Sequence, residues 1–313
     1  MRYRWLDYAR GLGIMFIVLG HTAPPMKDYI FWFHVPLFFI LSGFTFRLRD
    51  NESFITFFKR KCRSLIYPYF SFGILAILLY WLVSGESITA LPTWFFSLLF
   101  GTNIDITVLA AFWFITTLFF TQLLLFLLIK WLPKKGVIIL SLIAYASFYE
   151  INDILADTNI LWALNLVPIA TIYVVFGYYS KDFLKKKDAS LATWLSLFVL
   201  AFLLFDLLAP YHFQFDMRAL TANSIVLSLV IPIAISVLII KLCHFLEPFE
   251  LTLLAHMGQN SLVIMLTHYI FIEWLRLHDI SSWWLSFLIA FTASYLLSEL
   301  IASTPIKKIL LRL

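Results

Sequence analysis

Long apolar runs, each closed by polar or charged residues, recur from one end of the chain to the other. A membrane-crossing helix needs about 20 mostly apolar residues. Runs of this kind lie near 8–23, 30–46, 65–83, 107–129, 136–150, 159–179, 190–208, 222–242, 254–274 and 282–303. The pattern predicts an all-α, polytopic integral membrane protein with about ten transmembrane helices, because helices satisfy their own backbone polar groups in lipid. The fifth run is short and its ends are the least sharply marked. Trp94 to Phe100 is apolar but too short to cross, and suits an interfacial or re-entrant piece between the third and fourth spans.

Composition agrees with this pattern. The chain is 62% hydrophobic and 13% charged, whereas soluble domains carry roughly a quarter charged residues. With 33 Phe among its 313 residues, it holds more apolar surface than a soluble core of this length could cover. The runs are evenly spread, so residues 1–313 read as a single membrane domain with no appended soluble domain. Asp7 and Arg10 sit against the first run, and no small-residue cleavage site follows it. That run therefore reads as a retained span rather than a leader.

The net charge of +5 is first a topology signal, not a nucleic-acid footprint. With the N-terminus in the cytoplasm, 20 of the 23 Lys and Arg residues fall on the cytoplasmic side, from Arg2 and Arg4 to Lys307, Lys308 and Arg312. Lys27, Arg218 and Arg276 are the three assigned to the far side. The positive-inside rule then supports ten spans with both termini cytoplasmic. The longest far-side loop, about Ser84 to Ile106, carries Glu86 and Asp105 but no Lys or Arg. Cys62 and Cys243 both fall on the cytoplasmic side, where a disulfide is not expected. No Cys/His cluster suggests a metal.

Arg10 and His21 are the most informative polar pair. Eleven residues of α-helix rotate by about 20° net and rise about 16 Å, so the two side chains share one face of the first span near its opposite ends. Asp7 lies one turn before Arg10 and can hold its guanidinium. Taken singly, Arg10 could snorkel to headgroups and His21 could cap the span; the shared face favours a joint role. His34 opens the second span after a short loop, so its imidazole should lie near that of His21. Either ring could take a proton from a sugar hydroxyl, and His34 could equally be an interfacial residue. Arg60 and Arg63, in Lys59-Arg60-Lys61-Cys62-Arg63, are one turn apart. They could grip a diphosphate or a 3′-phosphate, or simply fix topology. With Arg10 they would form a cationic mouth. Trp113 begins a run with Thr116 and Thr117, and His268 lies two turns beyond Ser261. Gln122 reads as a helix cross-link, and Asp206 and Glu299 as snorkelling or paired.

These residues fall into motifs that resemble the acyltransferase type 3 membrane family. Leu6-Asp7-Tyr8-Ala9-Arg10-Gly11 followed by Val18-Leu19-Gly20-His21 is similar to the family's Arg-x10-His. Phe33-His34-Val35-Pro36-Leu37-Phe38-Phe39-Ile40-Leu41-Ser42-Gly43-Phe44 carries the second match. Arg60-x-x-Arg63 leading to Tyr67-Pro68, and Gly258-x-x-Ser261 leading to Leu266-x-His268, carry the third and fourth. The branch it most resembles contains fucose 4-O-acetylase-like and surface-polysaccharide O-acetyltransferases. Between about 130 and 250 only the hydropathy pattern is shared.

The resemblance implies an O-acyltransferase of the plasma (inner) membrane. It would move an acetyl group from cytoplasmic acetyl-CoA to a hydroxyl of a cell-surface or lipid-linked glycan, with no metal. His21 and His34 would be catalytic, and Arg10, Arg60 and Arg63 would bind the acyl-CoA phosphates. Asp7, Ser42, Trp113, Ser261 and His268 would support them. Partners would be the glycan acceptor and membrane lipid, with no nucleic acid, and a homo-oligomer is compatible. The competing reading is a transporter or flippase of a lipid-linked sugar, which usually shows internal repeats; none is visible here.

Overall fold

The structure is a computed structural model and describes residues 3–101, 106–155, 160–209 and 212–311. Arg2, Asp105 and Arg312, which enter the charge map, lie outside the described residues. Helix α1 (Arg4–His21) is followed by a short α2 (Lys27–Phe31) and by α3 (His34–Thr45). α4 (Phe54–Lys61), a π turn (Cys62–Ile66) and α5 (Tyr67–Ser84) run on as one segment. Next come α6 (Leu91–Phe100), α7 (Trp113–Trp131) and α8 (Lys134–Leu155). A 3-10 turn precedes α9 (Val167–Tyr179), and α10 (Lys181–Lys185) leads into α11 (Ala189–Leu208). A small antiparallel hairpin of β1 (Phe215–Asp216) and β2 (Thr221–Ala222) comes before α12 (Leu227–Leu246). α13 (Thr252–Gln259), α14 (Ser261–Leu277), α15 (Trp283–Ser303) and α16 (Ile306–Leu310) complete the order.

Among the described residues, seven helical segments are long and apolar enough to cross a bilayer. They are Lys27–Thr45, Phe54–Ser84, Thr107–Trp131, Leu161–Tyr179, Ala189–Leu208, Leu227–Phe249 and Trp283–Ser303. This makes the chain a helical, multi-pass membrane protein. The first, fifth and ninth runs of the sequence fall on α1, α8 and α14, which are not among the seven. α1 carries Arg4, Asp7 and Arg10, α8 opens on two lysines, and α14 has 17 residues.

Other details also differ from the sequence reading. The eighth run was expected to be helical from its start at 222, but Ala222 closes the hairpin and α12 begins only at Leu227. The ninth run is broken at Asn260 into α13 and α14. The short apolar piece at Trp94–Phe100 forms part of α6, which packs on α5; Tyr69 Oη donates to the Leu98 carbonyl at 2.6 Å.

The exterior shows which solvent the fold expects. Only 11% of the α11 window is buried, and Leu197, Leu200, Leu204, Phe205 and Leu208 all face outward. In water such a surface would aggregate; in lipid it costs nothing. The interior is built around α3, where every residue from His34 to Phe44 is buried.

Helices approach so closely here because glycine removes side chains at two crossings. A Cβ on Gly43 of α3 would sit 2.0 Å from the Val174 carbonyl of α9, and one on Gly177 of α9 would sit 2.0 Å from the Ile40 carbonyl of α3. The second crossing joins α1 to α13. A Cβ on Gly258 would lie 1.8 Å from the Asp7 carbonyl, and one on Gly11 would lie 2.4 Å from the Leu254 carbonyl. Without a hydrophobic force between helices in lipid, this kind of close packing is what holds them together. Gly177→Ala is expected to destabilise the protein by about 1–3 kcal/mol or more, because a backbone carbonyl cannot swing aside. A Cβ on Gly136 in α8 meets nothing nearer than 3.5 Å, so Gly136→Ala should be neutral or mildly stabilising, by up to about 1 kcal/mol. Thermal unfolding of the two variants in detergent checks the contrast.

Candidate active site: two cavities on one helix

α1 ends at His21, where Thr22 closes the helix through its backbone N–H and hydroxyl, both donating to the Leu19 carbonyl. The missing side chain at Gly20 lets Ile30 and Phe31 of α2 pack against the helix end. The short connection then delivers His34 at the start of α3. Its ring centroid is 6.2 Å from that of His21, nearly perpendicular. From the far end of the sequence, α14 contributes His268, fully buried and stacked on His21 with centroids 5.1 Å apart.

The hydrogen bonds assign the protons of these rings. His268 Nδ1 lies 3.1 Å from the Ile264 carbonyl, which can only accept, so Nδ1 donates. In the neutral ring, Nε2 of His268 is then an acceptor. It faces His21 Nδ1 at 2.9 Å, so His21 donates from Nδ1. The chain leaves Nε2 of His21 as an open lone pair on a residue that lines a cavity of about 410 Å³. His34 donates from Nδ1 to the Ile30 carbonyl at 2.8 Å, which leaves its own Nε2 as acceptor in the same cavity.

Around these rings stand Lys27, Trp113, Asp216, Arg218, Tyr269 and Arg276. Trp113, singled out in the sequence, lies under the Arg218 guanidinium at 5.8 Å. Asp216, Arg218, Tyr269 and Arg276 were not singled out as site residues. The hairpin supplies two of them. It is moored by Asp206 on α11, whose carboxylate accepts the Phe213 N–H at 2.5 Å. Glu299 is also engaged, accepting from Asn260 Nδ2 at 2.6 Å.

The other end of α1 opens into a second cavity of about 470 Å³, lined by Asp7, Arg10, Arg47, Lys181, Lys185 and Gln259 among others. Lys181 Nζ donates to the Phe46 carbonyl at 2.6 Å. Burial, then the neighbouring Arg47 and Lys185, hold its ammonium below the ordinary lysine value. This crowd of cations favours an anionic ligand. Arg10 and His21 therefore line separate cavities at the two ends of one helix.

Arg60 and Arg63 do not join Arg10 in this cavity, contrary to the expected single mouth. Arg60 forks onto Glu52, with Nε to Oε1 at 2.9 Å and Nη2 to Oε2 at 2.8 Å, and lies over the Phe57 ring. The carboxylate on the preceding loop takes up the fork that a phosphate was expected to fill. Arg63 lines a different hollow, with Cys62, Tyr67 and Phe70. Ser42 accepts from Gln122 Nε2 at 2.6 Å inside the bundle, the cross-link expected of Gln122. Ser42 and Ser261 are buried and line neither of the two cavities.

The fold is a helical membrane bundle with three neighbouring imidazoles at one end of α1 and clustered cations at the other. The family model described as an acyltransferase domain matches residues 3–303, so the chain belongs to the acyltransferase type 3 family. The chain matches no curated protein and no solved structure.

The Glu52–Arg60 pair makes a pH prediction. The Arg60 hydrogen bonds hold the Glu52 carboxyl below its ordinary 4.5, outweighing burial. Its stabilisation is complete above about 4.5 and is lost as pH falls through the lower folded value. Glu52→Gln should lower stability at neutral pH by about 1–3 kcal/mol and flatten the acid limb of the stability curve. Denaturation midpoints between pH 3 and pH 7 test both effects.

Proposed function

We propose that this membrane acyltransferase moves an acetyl group from acetyl-CoA to a hydroxyl of a cell-surface or lipid-linked glycan. The observation that carries the reading is the hydrogen-bond chain that leaves His21 Nε2 as an open base in one cavity, while Arg10 on the same helix lines a cationic cavity.

Arg10, Arg47, Lys181 and Lys185 fit the phosphates of the donor: four cations around one cavity suit a polyanion. They take the place of the Arg60–Arg63 grip. The thioester would reach between the helices toward His21. His21 Nε2 takes the proton of the acceptor hydroxyl as its oxygen attacks the thioester carbonyl. The carbon–sulfur bond breaks, the thiolate leaves, and the proton on His21 passes to it, so no net charge remains. A relay in which Nε2 first carries the acyl group uses the same nitrogen. His268 holds the ring in the productive tautomer, the task a carboxylate performs in a catalytic triad. His34 orients the acceptor.

In this reading the seven apolar segments, together with α1, α8 and α14, make ten spans. Both termini and the Arg10 cavity face the cytoplasm of a plasma membrane, and the histidine cavity faces out. Membership of an acyltransferase family favours this over a transporter.

Acetyl transfer from labelled acetyl-CoA, followed in proteoliposomes with glycan mass spectrometry, tests the reading. His21→Ala should abolish transfer while the protein remains inserted and monodisperse. His268→Ala should lower kcat by up to about 10⁴, the loss expected when the group that fixes a catalytic base's tautomer is removed. Normal glycan acetylation by His21→Ala removes His21 from the mechanism. Separately, Arg47→Ala and Lys181→Ala should each raise KM for acetyl-CoA by about tenfold, the loss of one charge-assisted contact. An unchanged KM in both assigns the donor elsewhere.

A further inference from the structure

The three cations that the charge map assigns to the far side of the membrane, Lys27, Arg218 and Arg276, all line the histidine cavity. They come from three separate elements: α2, the hairpin and α14. Positive charge is disfavoured on that side as a topology signal. Its convergence on one cavity therefore calls for a different cause.

Arg218 is the most telling of the three. Asp216 shares the cavity, but its Oδ1 is engaged by the backbone N–H groups of Arg218 and Ala219 at 2.8 and 3.1 Å. That carboxylate folds the turn and leaves the guanidinium free of a bidentate partner. Arg218 is half-buried against the Trp113 indole. It forms no ion pair among the described residues, and burial pushes its guanidinium below the ordinary value, with Asp216 partly opposing. A desolvated cation of this kind is stabilised most by a ligand that brings the missing anion. Lys27 stands over the Phe31 ring at 5.0 Å and makes no ion pair among the described residues. Arg276 is anchored by Glu273 and reaches the same rim. A neutral sugar entering here would further desolvate Arg218 with only the turn-bound Asp216 to offset it, so the cavity disfavours such a ligand.

We propose that the histidine cavity is built for an acceptor carrying an anionic group, a carboxylate or a phosphodiester, close to the hydroxyl that is acylated. Arg218 is the principal contact for that group and Lys27 the second. This rests on the acyl-transfer reading for what happens next, but not for the binding itself.

The test uses the full-length protein in nanodiscs and three glycosides of one sugar: a methyl uronoside, a methyl phosphodiester and the neutral methyl glycoside. Binding is measured by calorimetry without acetyl-CoA. At least one anionic ligand should bind about tenfold or more tighter than the neutral one, as a charge-assisted contact in a partly buried site requires. The preference should shrink as salt is raised. Whichever anion is preferred separates the carboxylate from the phosphodiester. Arg218→Gln should bring the ratio of affinities toward one, and Arg218→Lys should retain more of it. Equal affinity for the neutral ligand in the unmodified protein overturns the proposal. So does failure of both anionic ligands to bind at millimolar concentration, or a preference unchanged in Arg218→Gln.

Acetyl transfer to the same ligands separates the two readings. Charge-dependent binding with no transfer to any ligand sinks the acyl-transfer reading and leaves the anion site standing. Equal transfer to charged and neutral acceptors does the reverse.

Discussion

Two places where backbone meets backbone govern this fold. At the first, the paired glycines Gly43 and Gly177 bring α3 and α9 together until their carbonyls occupy the space a methyl would need. At the second, Gly258 receives the Asp7 carbonyl and Gly11 receives that of Leu254, which clamps α1 to α13. The second contact matters most for chemistry. It holds the turn of α1 that bears Asp7 and Arg10 against the helix that ends in Gln259, and all three residues line one cavity. It also fixes the start of α14, seven residues before His268. A dispersion contact summed over many atoms, with no hydrophobic drive between helices, thus determines where two polar sites can form.

The histidine end depends on a different kind of order. His268 is wholly buried and its Nδ1–H is committed to the Ile264 carbonyl. One carbonyl of α14 therefore sets the tautomer of two rings in succession. His21 needs no carboxylate beside it to be oriented, and so the cavity keeps its positive character. The cationic and histidine ends are linked by α1 itself, which rises about 16 Å between Arg10 and His21.

Much of the helical arrangement was legible because bilayer-length apolar runs are a coarse signal. The histidine motifs of α1 and α3 were legible because the residues lie close in sequence. The pairing of His21 with His268 was not, since 247 residues separate them and no local periodicity encodes that contact. The Arg60–Arg63 grip assumed a regular helix through both residues and overlooked Glu52. Instead, Arg63 lies in a π turn, which spreads successive side chains differently from an α turn, and Glu52 takes Arg60 for itself. Arg218 was visible all along as an exception to the charge bias. Its meaning needed the hairpin, which begins between two long apolar runs and depends on a turn held by the Asp216 side chain.

α11 faces outward over most of its 20 residues, about 30 Å of helix, which equals the thickness of a typical hydrocarbon layer. Near its end Asp206 grips the Phe213 amide at the root of the hairpin. A helix so loosely held by protein answers to lipid: in a thicker or thinner bilayer it tilts or shifts before the tightly packed interior does. Any such adjustment would reach Asp206, whose carboxylate holds the root of the hairpin, and the turn of that hairpin carries Arg218 at the rim of the histidine cavity.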